Sequence, residues 1–230
     1  MTGALPVVLS PRGLPEFPDP NRADDRGLIA VGGSLAPDWL LTAYAHGIFP
    51  WYDQGLPPLW WSPNPRAVIE LSALHVSRSM RRVLTHGRFH VTYDRAFGDV
   101  MRACGEERDE GTWILPEMLR AYVRLHELGH AHSFEVWLGE RLVGGLYGVH
   151  LGALFAAESM FHRETNASKV ALIVAVRTLF AAGIRLFDVQ FMTTHLATLG
   201  AQAIPRAEYL RRLASAREAR VSLTALEPLV

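Results

Sequence analysis

The chain has 230 residues with 23 basic and 23 acidic side chains, a formal net charge of zero, so no global field marks it as a nucleic-acid binder. Its 49% hydrophobic and 20% charged content is that of a globular protein long enough to bury a sizeable core. Cys104 is the only cysteine, which excludes a disulfide framework and an all-cysteine metal site.

The N-terminus lacks a basic region followed by an apolar stretch, so no signal peptide is expected. The longest apolar run, Val170 to Val176, is too short to cross a bilayer. A cytoplasmic location without membrane contact is the resulting expectation.

Residues 1–65 are punctuated by Pro and Gly and rich in aromatics, suggesting a small N-terminal unit that ends at Pro65. One short helix is expected within it, from Pro37 to His46, with Gly47 as its stop. The second unit, 66–230, opens with a helix expected from Leu71 through Arg82 and a strand over His90–Tyr93. A further helix is read over Pro116–Leu128, stopped by Gly129. His132 to Trp137 alternates with period two and reads as a strand. Gly139-Glu140 turns it into a strand over 141–149, and a third follows from Leu154 to about Met160. A helix capped by Asn166 or Ser168 runs to Ala182, and Ile184–Gln190 forms the next strand. Short helices near His195–Leu199 and Arg206–Ala216 complete the reading.

Two carboxylates interrupt these apolar strands: Glu158 in A-A-E-S-M-F and Asp188 in L-F-D-V-Q. A buried charge requires a partner or a function, because leaving it alone costs several kcal/mol, roughly. Polar groups at the strand ends of a strand–helix–strand unit also mark where open α/β sheets bind ligands. The unremarkable alternative for both is a buried ion pair with a nearby arginine. His126-Glu127-Leu128-Gly129-His130 fits a zinc-protease pattern, but Gly129 should end the helix before both histidines share a face. No third ligand sits at a suitable spacing, so neither metal nor cofactor is expected.

The order strand–strand–strand–helix–strand over 132–190 resembles the acetyl-CoA-dependent N-acetyltransferase scaffold. The predicted fold is therefore α/β (α+β), an acetyltransferase-like mixed-sheet domain with a small N-terminal domain. Such enzymes wrap a pyrophosphate in a glycine-rich turn. Here that turn is His162-Arg163-Glu164-Thr165-Asn166-Ala167-Ser168, without glycine, so an acyl donor other than CoA is expected.

A series of motifs in register identifies that donor by resemblance. Gly47-Ile48-Phe49-Pro50-Trp51, Trp60-Trp61-Ser62-Pro63, His75-Val76-Ser77-Arg78-Ser79-Met80 and Glu110-Gly111-Thr112-Trp113-Ile114 resemble the leucyl/phenylalanyl-tRNA–protein transferases. So do the block Leu125 to Ser133, Gly144-Gly145-Leu146-Tyr147-Gly148, Glu158-Ser159-Met160-Phe161, Asn166-Ala167-Ser168-Lys169 and Thr194-His195-Leu196. The resemblance implies transfer of Leu, Phe or less often Met from aminoacyl-tRNA to proteins beginning with Arg or Lys. The product would carry a degradation signal of the N-end rule pathway, and the enzyme would be a monomer.

For the site, the resemblance implies that Asp188 acts on the incoming amine through Gln190, with Glu158 holding the donor or the basic acceptor residue. An alternative gives the proton transfer to the tRNA's terminal 2′-hydroxyl. The donor side chain would sit among Leu146, Phe155, Met160, Leu172 and Phe187, with Trp113 and Tyr122 near the mouth. Most of these would equally serve as core. Trp51 and Trp113 are expected to contact the terminal adenosine, since aromatic faces stack unpaired bases. Trp51, Trp60 and Trp61 could as readily form a domain interface. Arg78, Arg81 and Arg82 fall on one helical face and are expected to meet acceptor-stem phosphates.

Overall fold

The structure, a computed structural model, describes residues 5–106 and 114–230. Trp113, one of the expected adenosine contacts, lies outside the described residues. The N-terminal part holds β1 (Val7–Leu9), β2 (Leu28–Gly32), α1 (Pro37–Ala45), β3 (Phe49–Pro50) and β4 (Leu59–Trp61). These strands form a four-stranded mixed sheet in the order β1-β2-β4-β3. Only α1 was predicted here. The strands are two to five residues long and broken by Pro and Gly, too short for periodicity to reveal.

The larger part runs β5 (Arg66–Ile69), α2 (Arg78–Thr85), β6 (His90–Tyr93), α3 (Phe97–Glu106), α4 (Pro116–Glu127), β7 (Ala131–Leu138), β8 (Arg141–Leu151) and β9 (Leu154–His162). It continues through α5 (Ala167–Ala181), β10 (Leu186–Gln190), α6 (Thr194–Thr198), β11 (Gln202–Ile204) and α7 (Arg206–Glu218). A seven-stranded mixed sheet has the order β11-β5-β10-β9-β8-β7-β6. The α/β (α+β) class expected from the sequence is thus observed.

The helix expected from Leu71 through Arg82 is broken. Leu71–Ala73 is a 3-10 turn, and α2 starts afresh where the Ser77 hydroxyl caps the Met80 N–H. Its first turn is satisfied by that cap rather than by continuation from upstream. α3 was not anticipated, although Phe97, Val100, Met101 and Cys104 recur at helical spacing and are buried. α4 ends where the sequence places its stop, with Gly129 at φ 78°, a region that glycine enters without strain. That ending puts His126 on the last turn of α4 and His130 beyond it. His126 stacks on Phe97 at 4.4 Å and its Nδ1 meets the Ala131 carbonyl at 2.8 Å.

α5 carries eleven buried side chains, as expected of a helix buried on several faces. It connects β9 to β10, which pair in parallel. Beneath α5 lies one core, built from Phe134, Leu146, Phe155, Leu172 and Phe187 among others. A second core joins the two parts of the chain: Trp39, Tyr44, Phe49 and Trp60 pack with Phe97, Met101, Tyr122 and Tyr147.

Candidate active site

Two departures from regular pairing open the sheet. β9 and β10 pair in parallel only through Asp188 and Ala156, after which the strands part. On β9, Tyr147 of β8 faces Ser159 and Gly148 faces Ala157, so Glu158 is the extra residue of a β-bulge. On β10, Val68 of β5 faces Asp188 and Ala67 faces Gln190, so Val189 is a second extra residue. Bulges re-aim side chains and end pairing locally. Gln190 itself sits at φ 60°, uncommon for a residue with a side chain.

The gap so created is a cleft of about 490 Å³. Glu158, Ser159 and Met160 form one wall, Val189, Gln190, Phe191, Thr193 and Leu196 another, and Phe49, Pro50 and Trp51 a third. A smaller apolar recess of about 80 Å³ continues inward between Leu146, Ala157, Met160, Leu172, Val189 and Leu196. Trp51 is 42% exposed and packs on Phe191 at 5.5 Å and Trp61 at 5.8 Å. Trp60 is fully buried, donating from Nε1 to the Gly32 carbonyl. The tryptophans therefore divide, with Trp60 in the core and Trp51 at the cleft.

Glu158 is the half-buried acid of this cleft. Gln190 Nε2 donates to its Oε1 at 2.7 Å, and the hydroxyls of Tyr44 and Tyr122 lie against it from behind. Burial, augmented by the negative charge of Asp188, pushes its carboxyl up to about 8, against the opposing hydrogen bonds from Tyr44 and Gln190.

Asp188 is in a different situation. It is 0% exposed and Arg66 is 1% exposed. Arg66 donates twice, Nε to Oδ1 at 2.8 Å and Nη2 to Oδ2 at 2.6 Å. Tyr209 Oη donates to Oδ2 at 2.9 Å, and the Gln190 N–H to Oδ1 at 2.9 Å. Four donors occupy the carboxylate, and the ion pair with a nearby arginine is present.

The structure therefore brings Glu158, Gln190, Trp51, Met160, Leu146 and Leu172 to one cleft and its recess. Asp188 lies behind the wall. Tyr122 is fully buried beneath Glu158, not at the mouth, its hydroxyl 2.6 Å from that of Tyr44. Phe155 and Phe187 do not line the recess: they face each other across the strand pair, 5.4 Å between rings, and stay in the core. Phe49, Val189, Phe191, Thr193 and Leu196 complete the cleft without having been singled out in the sequence. Val189 had a signal, being the residue between Asp188 and Gln190. Of the others, Phe49 lies on β3, Leu196 on α6, and Phe191 and Thr193 between β10 and α6, segments whose approach only the fold reveals.

On the outer surface, Arg78, Arg81 and Arg82 are all exposed, with no ion pair to a carboxylate among the described residues. Three backbone donors of the β9–α5 turn are taken up internally. Arg163 and Glu164 N–H groups reach the Val143 carbonyl, and the Ala167 N–H reaches Glu164. Among the described residues no three His, Cys, Asp or Glu side chains converge as a metal site, and no helix is long and apolar enough to cross a membrane.

Known proteins resemble the chain over most of its length. The family model described as leucyl/phenylalanyl-tRNA protein transferase matches residues 68–214, and the model of its N-terminal domain matches residues 33–64. A leucyl/phenylalanyl-tRNA–protein transferase of Anaeromyxobacter sp. (strain Fw109-5) is 58% identical over 203 residues, 87% of this chain and 86% of that protein. The transferase of that name from Citrobacter koseri is 51% identical over 207 residues, 89% of this chain and 88% of its own length. That of Klebsiella pneumoniae (strain 342) is 52% identical over 203 residues, covering 87% of each. The chain is by class an aminoacyltransferase. It belongs to the leucyl/phenylalanyl-tRNA–protein transferase family.

Proposed function

We propose that the protein moves Leu, Phe or, less readily, Met from its charged tRNA to the N-terminal Arg or Lys of an acceptor protein, creating an N-end rule degradation signal. The single observation that carries the chemistry is Glu158, a half-buried acid held by Gln190 in the wall of a largely apolar cleft.

The reaction is aminolysis of an ester. A protein α-amine has a pKa of about 7.7–8.0, so near neutrality a fraction is free to attack. A carboxyl at about 8 matches it, which suits general-base transfer. The amine nitrogen bonds to the ester carbonyl carbon as its proton passes to Glu158. The carbon–oxygen bond to the ribose breaks, and the ribose oxygen takes the proton back from Glu158. No cofactor is required. Gln190 orients Glu158. Asp188, with Arg66 neutralising it, fixes the Gln190 backbone rather than receiving the proton.

The recess between Leu146, Met160 and Leu172 takes the donor side chain. Methionine in its wall adapts to several shapes, and rejection of β-branched residues should be modest, about 1–3 kcal/mol. Trp51 stacks the terminal adenosine, with Trp113 as its expected companion. Arg78, Arg81 and Arg82 meet acceptor-stem phosphates, so Arg78→Ala/Arg82→Ala should weaken donor binding and flatten its salt dependence. The enzyme works as a cytoplasmic monomer, with its smaller unit ending at Pro65.

The test uses purified protein, labelled Leu-tRNA and two peptides differing only in an N-terminal Arg or Met. Label should move to the Arg peptide alone, and Glu158→Gln should lower turnover by about 10²-fold or more while retaining tRNA binding. Full turnover in Glu158→Gln would remove the acid from the chemistry.

A further inference from the structure

Glu158 has a support that the aminolysis scheme does not use. Tyr44 on α1 and Tyr122 on α4 meet hydroxyl to hydroxyl at 2.6 Å, and both are almost fully buried. Burial, first, and the neighbouring Glu158 charge keep both phenols well above their usual range, so both stay protonated. Two buried hydroxyls own two hydrogens. One lies between the oxygens, and the other needs an acceptor, since a buried donor left unpaired is destabilising. Glu158 is the acidic neighbour of both tyrosines and within hydrogen-bonding reach of both.

We propose that the Tyr44–Tyr122 pair is a positioning device: Tyr122 donates to Tyr44, and Tyr44 donates to Glu158, holding its carboxylate as the acceptor of the amine proton. The proposal rests on the reading of Glu158 given above. The remaining groups facing Glu158 are Asp188 and Gln190 from β10 and Arg66 from β5. Arg66 and Asp188 satisfy each other as a bidentate pair, so their opposed charges largely cancel at Glu158. Gln190 supplies one donor from the cleft side, and Tyr44 supplies the other from beneath.

A hydrogen bond donated to a carboxylate favours the ionised form. Without it Glu158 holds its proton to higher pH, and the base form becomes scarcer at neutrality. Because α1 belongs to the N-terminal part, the device also makes catalysis depend on how that part docks.

The experiment compares Tyr44→Phe, Tyr122→Phe, Glu158→Gln and the native enzyme in single-turnover transfer to an Arg-initiated peptide between pH 6 and pH 9.5, roughly. The peptide's own titration is common to all four proteins, so differences in the acid limb belong to the enzyme. Tyr44→Phe should move the limb upward by about one pH unit, with aminoacyl-tRNA affinity unchanged. Tyr122→Phe should move it the same way by less. At the top of the profile Tyr44→Phe should recover most of the native rate. A drop uniform across pH, or no change, would overturn the device and leave the tyrosines as packing. Thermal melts establish that each variant is folded, and Tyr122→Phe carries the test alone if Tyr44→Phe is not. A native-like limb in Glu158→Gln would instead sink the assignment of Glu158, which distinguishes the two failures.

Discussion

Glu158 and Asp188 are acids on adjacent strands, yet their surroundings divide their work. Asp188 has a cation that donates twice and two other donors, no solvent and no room. Glu158 has neutral donors and an open side. A carboxyl raised from 4.5 to about 8 binds its proton more tightly in the folded state than in the unfolded one. Its stabilising contribution is therefore complete below pH 4.5 and disappears as pH rises through 8. Relative to Glu158→Gln, the native protein should lose thermal stability between about pH 5 and pH 8 and be level above that. Melting curves of both proteins across that range check it, and parallel curves would mean that Glu158 titrates normally. The sequence marked both acids because each interrupts an apolar strand. It could not separate them, since which of many arginines pairs with Asp188 is decided by a contact 122 positions away.

At the scale of elements, the site exists because two strands stop pairing. Gly148 lies opposite the β9 bulge, and a Cβ there would overlap the Ala156 carbonyl oxygen and press on the Phe155 ring. Gly148→Ala should destabilise the protein by about 1–3 kcal/mol. It should also reduce transfer more than tRNA binding, because the strain falls on the strand that presents Glu158. Denaturant titration with parallel transfer and binding assays would read both effects. Equal losses would mean that the bulge is only scaffolding. The long elements β7 to β10 and α5 were legible because period-two alternation and a continuous apolar helix survive in sequence. The bulges were not: an inserted residue reads as a break in alternation. α3 was readable in principle, but Gly98 and Gly105 dilute its helical signal.

Across the whole molecule, the buried Arg66 ties β5 to β10 and α7, and also donates to the Gly47 carbonyl after α1 at 3.1 Å. Arg66→Ala strands Asp188 as an unpaired buried charge and should cost about 3–5 kcal/mol. Replacing both partners by apolar residues should recover much of that stability, without restoring a fixed Gln190. A double variant as unstable as Arg66→Ala would mean that packing around the arginine outweighs its charge.

The order β11-β5-β10 has a consequence for how the protein is made. β5 is an early strand whose two neighbours are both late. On the ribosome Ala67, Val68 and Ile69 wait for about 120 residues of further synthesis, roughly 6–24 s at ~5–20 residues per second. For that interval the nascent chain carries an apolar strand with both edges bare, a template for mispairing. Chains arrested just before Leu186 should therefore be captured by chaperones or aggregate, and release should come within the few seconds that deliver β10 and β11.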